Sequence, residues 1–134
     1  MKSFIRIAVT VLVVGGLFLL LAWPHGTYYH AADSSAALKE ITPARDQVEQ
    51  MIEKGIRPSL TPEDPGFIGI TKETTYCKVS LLGAATKTPL IICSTINGNA
   101  EHFNNNLIAW VRTGDGKWSC ISTLEPIYKP GKCT

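Results

Sequence analysis

The sequence has few of the motifs that mark an enzyme or a metalloprotein. Neither a glycine-rich phosphate loop nor a serine elbow occurs in its 134 residues. The histidines and cysteines do not show the ligand spacing of zinc sites. The formal net charge of +2 is too small to indicate nucleic acid as the main partner. We therefore expect a protein that is not an enzyme and that carries no metal and no cofactor.

Acidic residues are also missing from the start of the chain. Residues 1–23 contain no aspartate or glutamate, and residues 7–23 are uncharged and nearly all apolar. About 17 such residues lie at the lower limit for a membrane span. Because Lys2 and Arg6 precede this run, its N-terminal side is expected to face the cytoplasm. Residues 1–24 are thus predicted to cross an inner membrane once, with residues 25–134 as a periplasmic globular domain.

A secretory signal peptide has the same basic start and apolar core. The cleavage site is poor, because Ala22 is followed by Trp23 and Pro24, and proline just after a scissile bond is unfavourable. A retained anchor is therefore the favoured interpretation. A signal that is cleaved off remains the alternative.

Residues 32–54 have the periodicity of an amphipathic helix. Pro24 and Pro43 each remove a backbone donor, so we expect a kink at both, with two separate helices as the alternative. Gly55 suits the position just after the helix end. Apolar side chains recur at spacings of three and four and form one stripe, which consists of Ala37, Leu38, Ile41, Ala44, Val48, Met51 and Ile52.

Charged side chains on this helix contribute little to its stability. Arg45 and Glu49 have the spacing of an ion pair on the exposed face. Glu49 and Glu53 have the same spacing but like charges, so the two effects roughly cancel. The apolar stripe must therefore hold the helix in place.

The second half of the chain has the pattern of short strands. Residues 56–75 contain three prolines and are predicted to form a long connection. Residues 113–116, Thr-Gly-Asp-Gly, are a strong hairpin signal. Alternation of apolar and polar side chains predicts a strand at residues 76–82. Three further short segments are predicted as strands, of which the first is more buried, so that four strands lie between about 76 and 122, the others at residues 90–96, 107–112 and 117–122.

Four cysteines follow the apolar segment, which indicates an oxidising compartment. Three pairings are possible. If the first hairpin turns near Ala85, Cys77 faces Cys93, which favours that bridge and leaves Cys120 for Cys133. The second bridge closes a tail that we expect to be held by nothing else. Free thiols are the alternative.

Four stretches resemble type IV pilins. Residues 15–24, Gly-Gly-Leu-Phe-Leu-Leu-Leu-Ala-Trp-Pro, look like the end of the pilin apolar segment with its kinking proline. Residues 34–38, Ser-Ser-Ala-Ala-Leu, look like part of the pilin helix. Gly-Lys-Trp-Ser-Cys at 116–120 and Lys-Pro-Gly-Lys-Cys at 129–133 are similar to the disulfide-bounded receptor-binding loop of pseudomonad-type pilins. The resemblance implies an α+β fold, in which one long helix continues from the membrane segment and packs on a four-stranded antiparallel sheet.

Two family features are not found in residues 1–23. Pilins carry a short basic leader that ends in glycine, followed by Phe-Thr-Leu-Ile-Glu. In the family the glutamate is buried and pairs with the N-terminal amine of a neighbouring subunit during assembly. Both absences count against processing and methylation by the prepilin peptidase, and the missing glutamate removes a contact used in polymerisation. The chain is then either a pilin-like protein that stays in the bilayer or a degenerate copy.

The resemblance implies a structural or adhesion protein, which is a subunit or accessory of a type IV pilus used for attachment, motility or DNA uptake. Its partners are expected to be the membrane, other pilin subunits in a homo-oligomer or filament, pilus assembly proteins and a surface receptor. The protein would then lie in the inner membrane or in a pilus at the cell surface. The candidate adhesive residues of the loop 120–133 are Glu125, Tyr128, Lys129 and Lys132.

The alternative function is a signal-cleaved, disulfide-stabilised periplasmic binding module. In that case Trp110 and Trp118, on adjacent predicted strands, form an aromatic binding face instead of a core. Catalysis has little support, because His25, His30 and His102 are scattered. Nucleic-acid binding stays open, since the basic residues are numerous but dispersed, at Lys72, Lys78, Lys87, Arg112, Lys117, Lys129 and Lys132.

Overall fold

The computed structural model describes the backbone of residues 26–134 and the side chains of residues 31–134. The predicted membrane span at residues 1–24, the predicted kink at Pro24 and the side chains of His25 and His30 lie outside this part. Among the described residues, no helix combines the length and the apolar character that a bilayer crossing requires.

The predicted amphipathic stretch is helical in two segments, α1 (Gly26–Ile41) and α2 (Pro43–Glu53). Thr42 lies between them and keeps right-handed helical angles, with φ −63° and ψ −42°. Pro43 has no N–H to donate, so the regular hydrogen-bond ladder is interrupted here. Both the backbone N–H and the hydroxyl of Thr42 donate to the carbonyl oxygen of Leu38, at 3.0 and 2.6 Å.

One face of both segments is buried, and it is the predicted stripe. Ala37, Ile41, Ala44 and Val48 are fully buried and Met51 nearly so, while Leu38 and Ile52 pack at the margin. Gly55 ends α2 with a φ of +66°, and the Ile56 N–H donates to the Met51 carbonyl oxygen at 2.9 Å. This is the pattern of a glycine-terminated helix, as predicted.

Four antiparallel strands form one sheet in the order β1-β2-β3-β4, and the helices pack on its inner face. The α+β fold class predicted from the resemblance is therefore confirmed. Each strand lies within one residue of its predicted bounds: β1 spans Cys77–Leu82, β2 Leu90–Thr95, β3 Leu107–Arg112 and β4 Trp118–Ser122.

The register of the first hairpin differs from the prediction. Cys77 lies opposite Thr95, and Cys93 lies opposite Val79, so the turn is centred later in the chain than Ala85. The two cysteines are diagonal neighbours on the inner face, and their Cα atoms are 4.9 Å apart. A disulfide still joins them, because both side chains point to the same side of the sheet.

Both edges of the sheet are partly covered by irregular chain. At β1, the Val79 N–H donates to the Lys72 carbonyl oxygen at 2.8 Å, which ties down the connection that follows α2. At β4, the Ser122 N–H donates to the Thr134 carbonyl oxygen at 3.0 Å, and the Thr134 N–H donates to that of Cys120 at 3.1 Å. The connection 54–76 thus lies at one edge and the C-terminal residues at the other.

Candidate functional site

The C-terminal loop, residues 120–133, is closed by a disulfide between Cys120 and Cys133. Leu124, Tyr128 and Pro130 are buried, and a short 3-10 helix (Pro126–Tyr128) packs against α1. The expectation that only Cys133 holds this tail is therefore wrong. Three side chains anchor it in the core, so the loop is a packed part of the fold.

The four candidate adhesive residues are not equally accessible. Glu125 and Lys132 are exposed, and Lys129 is half-buried. Tyr128 is 7% exposed and its ring stacks on that of His102, with centroids 4.7 Å apart. The expectation that Tyr128 is exposed is therefore wrong, because it serves as an anchor.

Sequence reasoning missed Ile127, whose side chain is 58% exposed on the same loop. Its exposure was not predicted because apolar residues are normally assigned to a core. The only sequence feature that indicated exposure was its position between Pro126 and Tyr128. We call Glu125, Ile127 and Lys129 the loop tip. The loop tip presents an apolar side chain flanked by an acidic and a basic one.

A groove of about 860 Å³ runs between the two helical segments, β4 and the end of the C-terminal loop. We call it the β4 groove. Trp118 and Leu38 form part of its wall, and the cationic residues Lys39, Arg45 and Lys132 line it. In the described part of the chain none of these three cations lies within 4.0 Å of a carboxylate oxygen.

Arg45 has an unusual environment in the β4 groove. Its guanidinium carbon lies 4.0 Å from the centre of the Trp110 ring, which is the geometry of a cation–π contact. Its Nε is buried, and no described residue accepts a hydrogen bond from it. The guanidinium is therefore held against Trp110 in the wall of the groove.

Both tryptophans line the β4 groove, but they differ in exposure. Trp110 is 5% exposed, and its indole N–H donates to the Thr42 hydroxyl at 3.1 Å. It belongs to the core, so the aromatic face of the binding-module hypothesis is wrong for this residue. Trp118 is half-buried and donates its indole N–H to Glu49 at 2.8 Å.

Glu49 joins α2 to the last two strands of the sheet. Arg112 holds its carboxylate with two donors, Nε at 2.5 Å from Oε1 and a terminal nitrogen at 3.1 Å from Oε2. The predicted pair of Glu49 with Arg45 is therefore wrong, because Arg45 stacks on Trp110 instead. Arg112 is buried in this pair, which removes it from the basic residues considered for nucleic-acid binding.

These contacts lower the pKa of the Glu49 carboxyl group. The hydrogen bond from Arg112 lowers the pKa of the Glu49 carboxyl below its usual value of about 4.5, and the bond from Trp118 acts in the same direction. A lowered pKa in the folded state means that the pair stabilises the fold above about pH 4.5. This contribution is lost as the pH falls through the lower, folded-state pKa.

Replacing Glu49 by glutamine tests this contact. At pH 7 we expect Glu49→Gln to lower the free energy of unfolding by about 1–2 kcal/mol, a value reduced because the Glu49 side chain is 33% exposed. The difference from wild type should shrink at acidic pH, where Glu49 is protonated in both states. Urea unfolding at several pH values measures it, and a difference that stays constant down to pH 2 contradicts the assignment.

Among the described residues, no group of three or more histidine, cysteine, aspartate or glutamate side chains could hold a metal ion. His102, considered for acid–base chemistry, stacks on Tyr128, and its Nε2 lies 3.7 Å from Glu101. The site is thus a set of surfaces, namely a loop tip and a cationic groove.

A family model described as pilin, a bacterial filament protein, matches residues 32–134, which is more than half of the chain. The chain belongs to the pilin family. The match covers the stripe of both helical segments, the sheet and the C-terminal loop of this pilin. The resemblance noted in the sequence is therefore confirmed.

A solved structure supports the same fold. The crystal structure of a Cs1 pilin chimera superposes on this pilin with a TM-score of 0.66 and 20% sequence identity. The match covers 82% of this chain and 100% of the other. At this identity the likeness shows the fold, and the family assignment rests on the sequence match.

Family membership decides between the broad functional hypotheses. Pilins are structural proteins that assemble with one another into pilus filaments, and they are associated with the pilus or the cell surface. The family match therefore confirms the hypothesis of a pilus subunit. The periplasmic binding module and the enzyme are correspondingly less favoured.

Proposed function

We propose that this pilin is a membrane-anchored subunit of a type IV pilus and that its C-terminal loop attaches cells to surfaces. The apolar run at residues 7–23 supports the anchor, since it has about the length of a membrane span. The family match supports assembly into a filament. In the filament, the apolar segment packs against those of other subunits, and the sheet and loop lie on the outside.

The observation that carries the adhesive role is the rigid presentation of the loop tip. Leu124, Tyr128 and Pro130 are buried, so they hold the loop in one conformation. Ile127 is more than half exposed between them. A preordered loop loses little conformational freedom on binding, which favours contact with a surface.

Filament membership is tested by expressing the full chain in a bacterium that has the type IV assembly machinery but lacks its own major pilin. We expect sheared filaments that contain the chain, seen by electron microscopy with a specific antibody. The mass of the subunit in those filaments reports any processing and both disulfides. A chain spread evenly through the membrane, with no filaments, contradicts the proposal.

The adhesive role predicts the effect of a loop-tip variant. Replacing Glu125 by alanine and Ile127 by serine together should lower attachment of piliated cells to polystyrene about tenfold, because the exposed apolar contact is lost. Leu82→Ser is the matched control, since Leu82 is 55% exposed at the far end of β1. Equal filament yield must be shown for all strains. Equal attachment by the loop-tip variant and the control contradicts the adhesive role.

A further inference from the structure

We propose that the β4 groove receives the acidic turn of a second subunit, at residues 61–65, and that this contact builds the filament. The inference rests on the proposed function, because it names the partner surface that a filament subunit requires. The acidic turn has the sequence Thr-Pro-Glu-Asp-Pro and lies in the connection between α2 and β1.

The two surfaces have complementary charge. Lys39, Arg45 and Lys132 line the groove without a carboxylate partner among the described residues. The acidic turn carries Glu63 and Asp64, both exposed. Opposite charges brought together in a partly desolvated groove select the correct partner and orientation.

The turn is held in one shape before it binds. Pro62 and Pro65 bracket it, and the Asp64 N–H donates to the Thr61 carbonyl oxygen at 3.0 Å. Asp64 also accepts a hydrogen bond from the Ser59 hydroxyl at 2.5 Å, which leaves Glu63 as the outward carboxylate. Docking such a turn costs little conformational entropy.

The base of the turn is equally constrained. Gly66 lies so close to Arg57 that an added Cβ would sit 1.9 Å from the Arg57 carbonyl oxygen. Backbone hydrogen bonds from Ser59 to Gly66 and from Ile68 to Ser59, at 2.9 and 3.0 Å, close the loop. The acidic turn is therefore a fixed projection of the fold.

The groove and the turn lie at opposite edges of the sheet. The connection that carries the turn packs beside Val79, Ser80 and Leu81 of β1, whereas Trp118 and Cys120 of β4 line the groove. Because β1 and β4 are the two edge strands, one molecule cannot join its own turn to its own groove. A second copy can.

This arrangement has the symmetry that a filament needs. A contact between two different surfaces of identical subunits is heterologous, and its repetition gives an open helical assembly unless the rotation closes a ring. The groove, at about 860 Å³, is large enough to accept several side chains of a turn.

A charge swap in the full chain tests the contact in the expression host described above. Glu63→Lys and Lys132→Glu should each lower the yield of sheared filaments at least about tenfold, because each places like charges in every contact. The double variant, with both changes in one chain, restores the opposite charges and should recover to within about threefold of wild type. Glu53→Lys, an exposed change of the same charge on α2, is the control and should leave the yield unchanged.

Subunit abundance by immunoblot and thermal unfolding of each variant separate assembly from folding. Glu63 and Lys132 are exposed, so neither quantity should change. If the wild type and both single variants give the same yield of filaments, this inference is overturned and the proposed function is not. Loss in the single variants without recovery in the double variant also overturns it, because the two residues then do not face each other across the contact. The absence of wild-type filaments overturns the proposed function and this inference with it.

Discussion

Replacing both Cys77 and Cys93 by alanine is expected to lower the free energy of unfolding by about 2–5 kcal/mol, the usual cost of removing a disulfide from a small domain. The bridge joins residues 16 apart and limits the freedom of the unfolded chain. Both cysteines are fully buried, and the Cys77 sulfur lies 3.7 Å from the Ala37 carbonyl oxygen of α1. The variant therefore also loses packing between the helix and the sheet.

The matched control is the corresponding change at Cys120 and Cys133. That bridge spans 13 residues, so the effect on the unfolded chain is similar. Cys133 is only half-buried, and Leu124 and Tyr128 still hold the loop. We expect the variant without Cys77 and Cys93 to unfold at a lower urea concentration than the variant without Cys120 and Cys133. Unfolding of both variants at the same concentration contradicts the central role of the first bridge.

Trp110→Ala is expected to lower the free energy of unfolding by about 3–5 kcal/mol, the range for removing a buried tryptophan. Trp110 is 5% exposed at the point where the helix is interrupted, and it contacts Thr42 and Arg45. Its removal leaves a cavity and takes away the donor to Thr42. Urea unfolding followed by far-ultraviolet circular dichroism measures the change without depending on tryptophan fluorescence.

Trp110→Phe separates the two losses. Phenylalanine keeps an apolar ring, so this variant retains most of the packing of Trp110. It cannot donate a hydrogen bond to Thr42, so it still loses that contact. It should therefore unfold between wild type and Trp110→Ala. Trp118→Ala is the second comparison, since Trp118 is only half-buried. A greater loss for Trp118→Ala than for Trp110→Ala shows that the core assignment is wrong.

The secondary structure followed from local patterns. Spacings of three and four marked the stripe of α1 and α2, and alternation or short apolar runs between turn residues marked the four strands to within one residue. Glycine at the end of α2 and Thr-Gly-Asp-Gly before β4 marked where elements end. Each of these patterns reflects backbone geometry within a few residues, so each can be recognised directly in the sequence.

The partners of individual side chains were not predictable in this way. Glu49 has the helical spacing to pair with Arg45, but it binds Arg112, which is 63 residues away. Tyr128 is a polar aromatic residue in a proline-containing tail, yet it is buried against His102. Such contacts depend on how helix, sheet and tail pack, and no local pattern encodes that.

The sequence by itself determined the helix stripe, the strands, the positions of the cysteines and the resemblance to pilins, because these depend on periodicity and short motifs. Only the tertiary structure decided that the tail is anchored by Leu124 and Tyr128, and that Ile127 is exposed. It also placed Lys39, Arg45 and Lys132 in one groove and the acidic turn at the opposite edge of the sheet. The physical reason is that these residues are distant in sequence, and only packing brings them together or sets them apart.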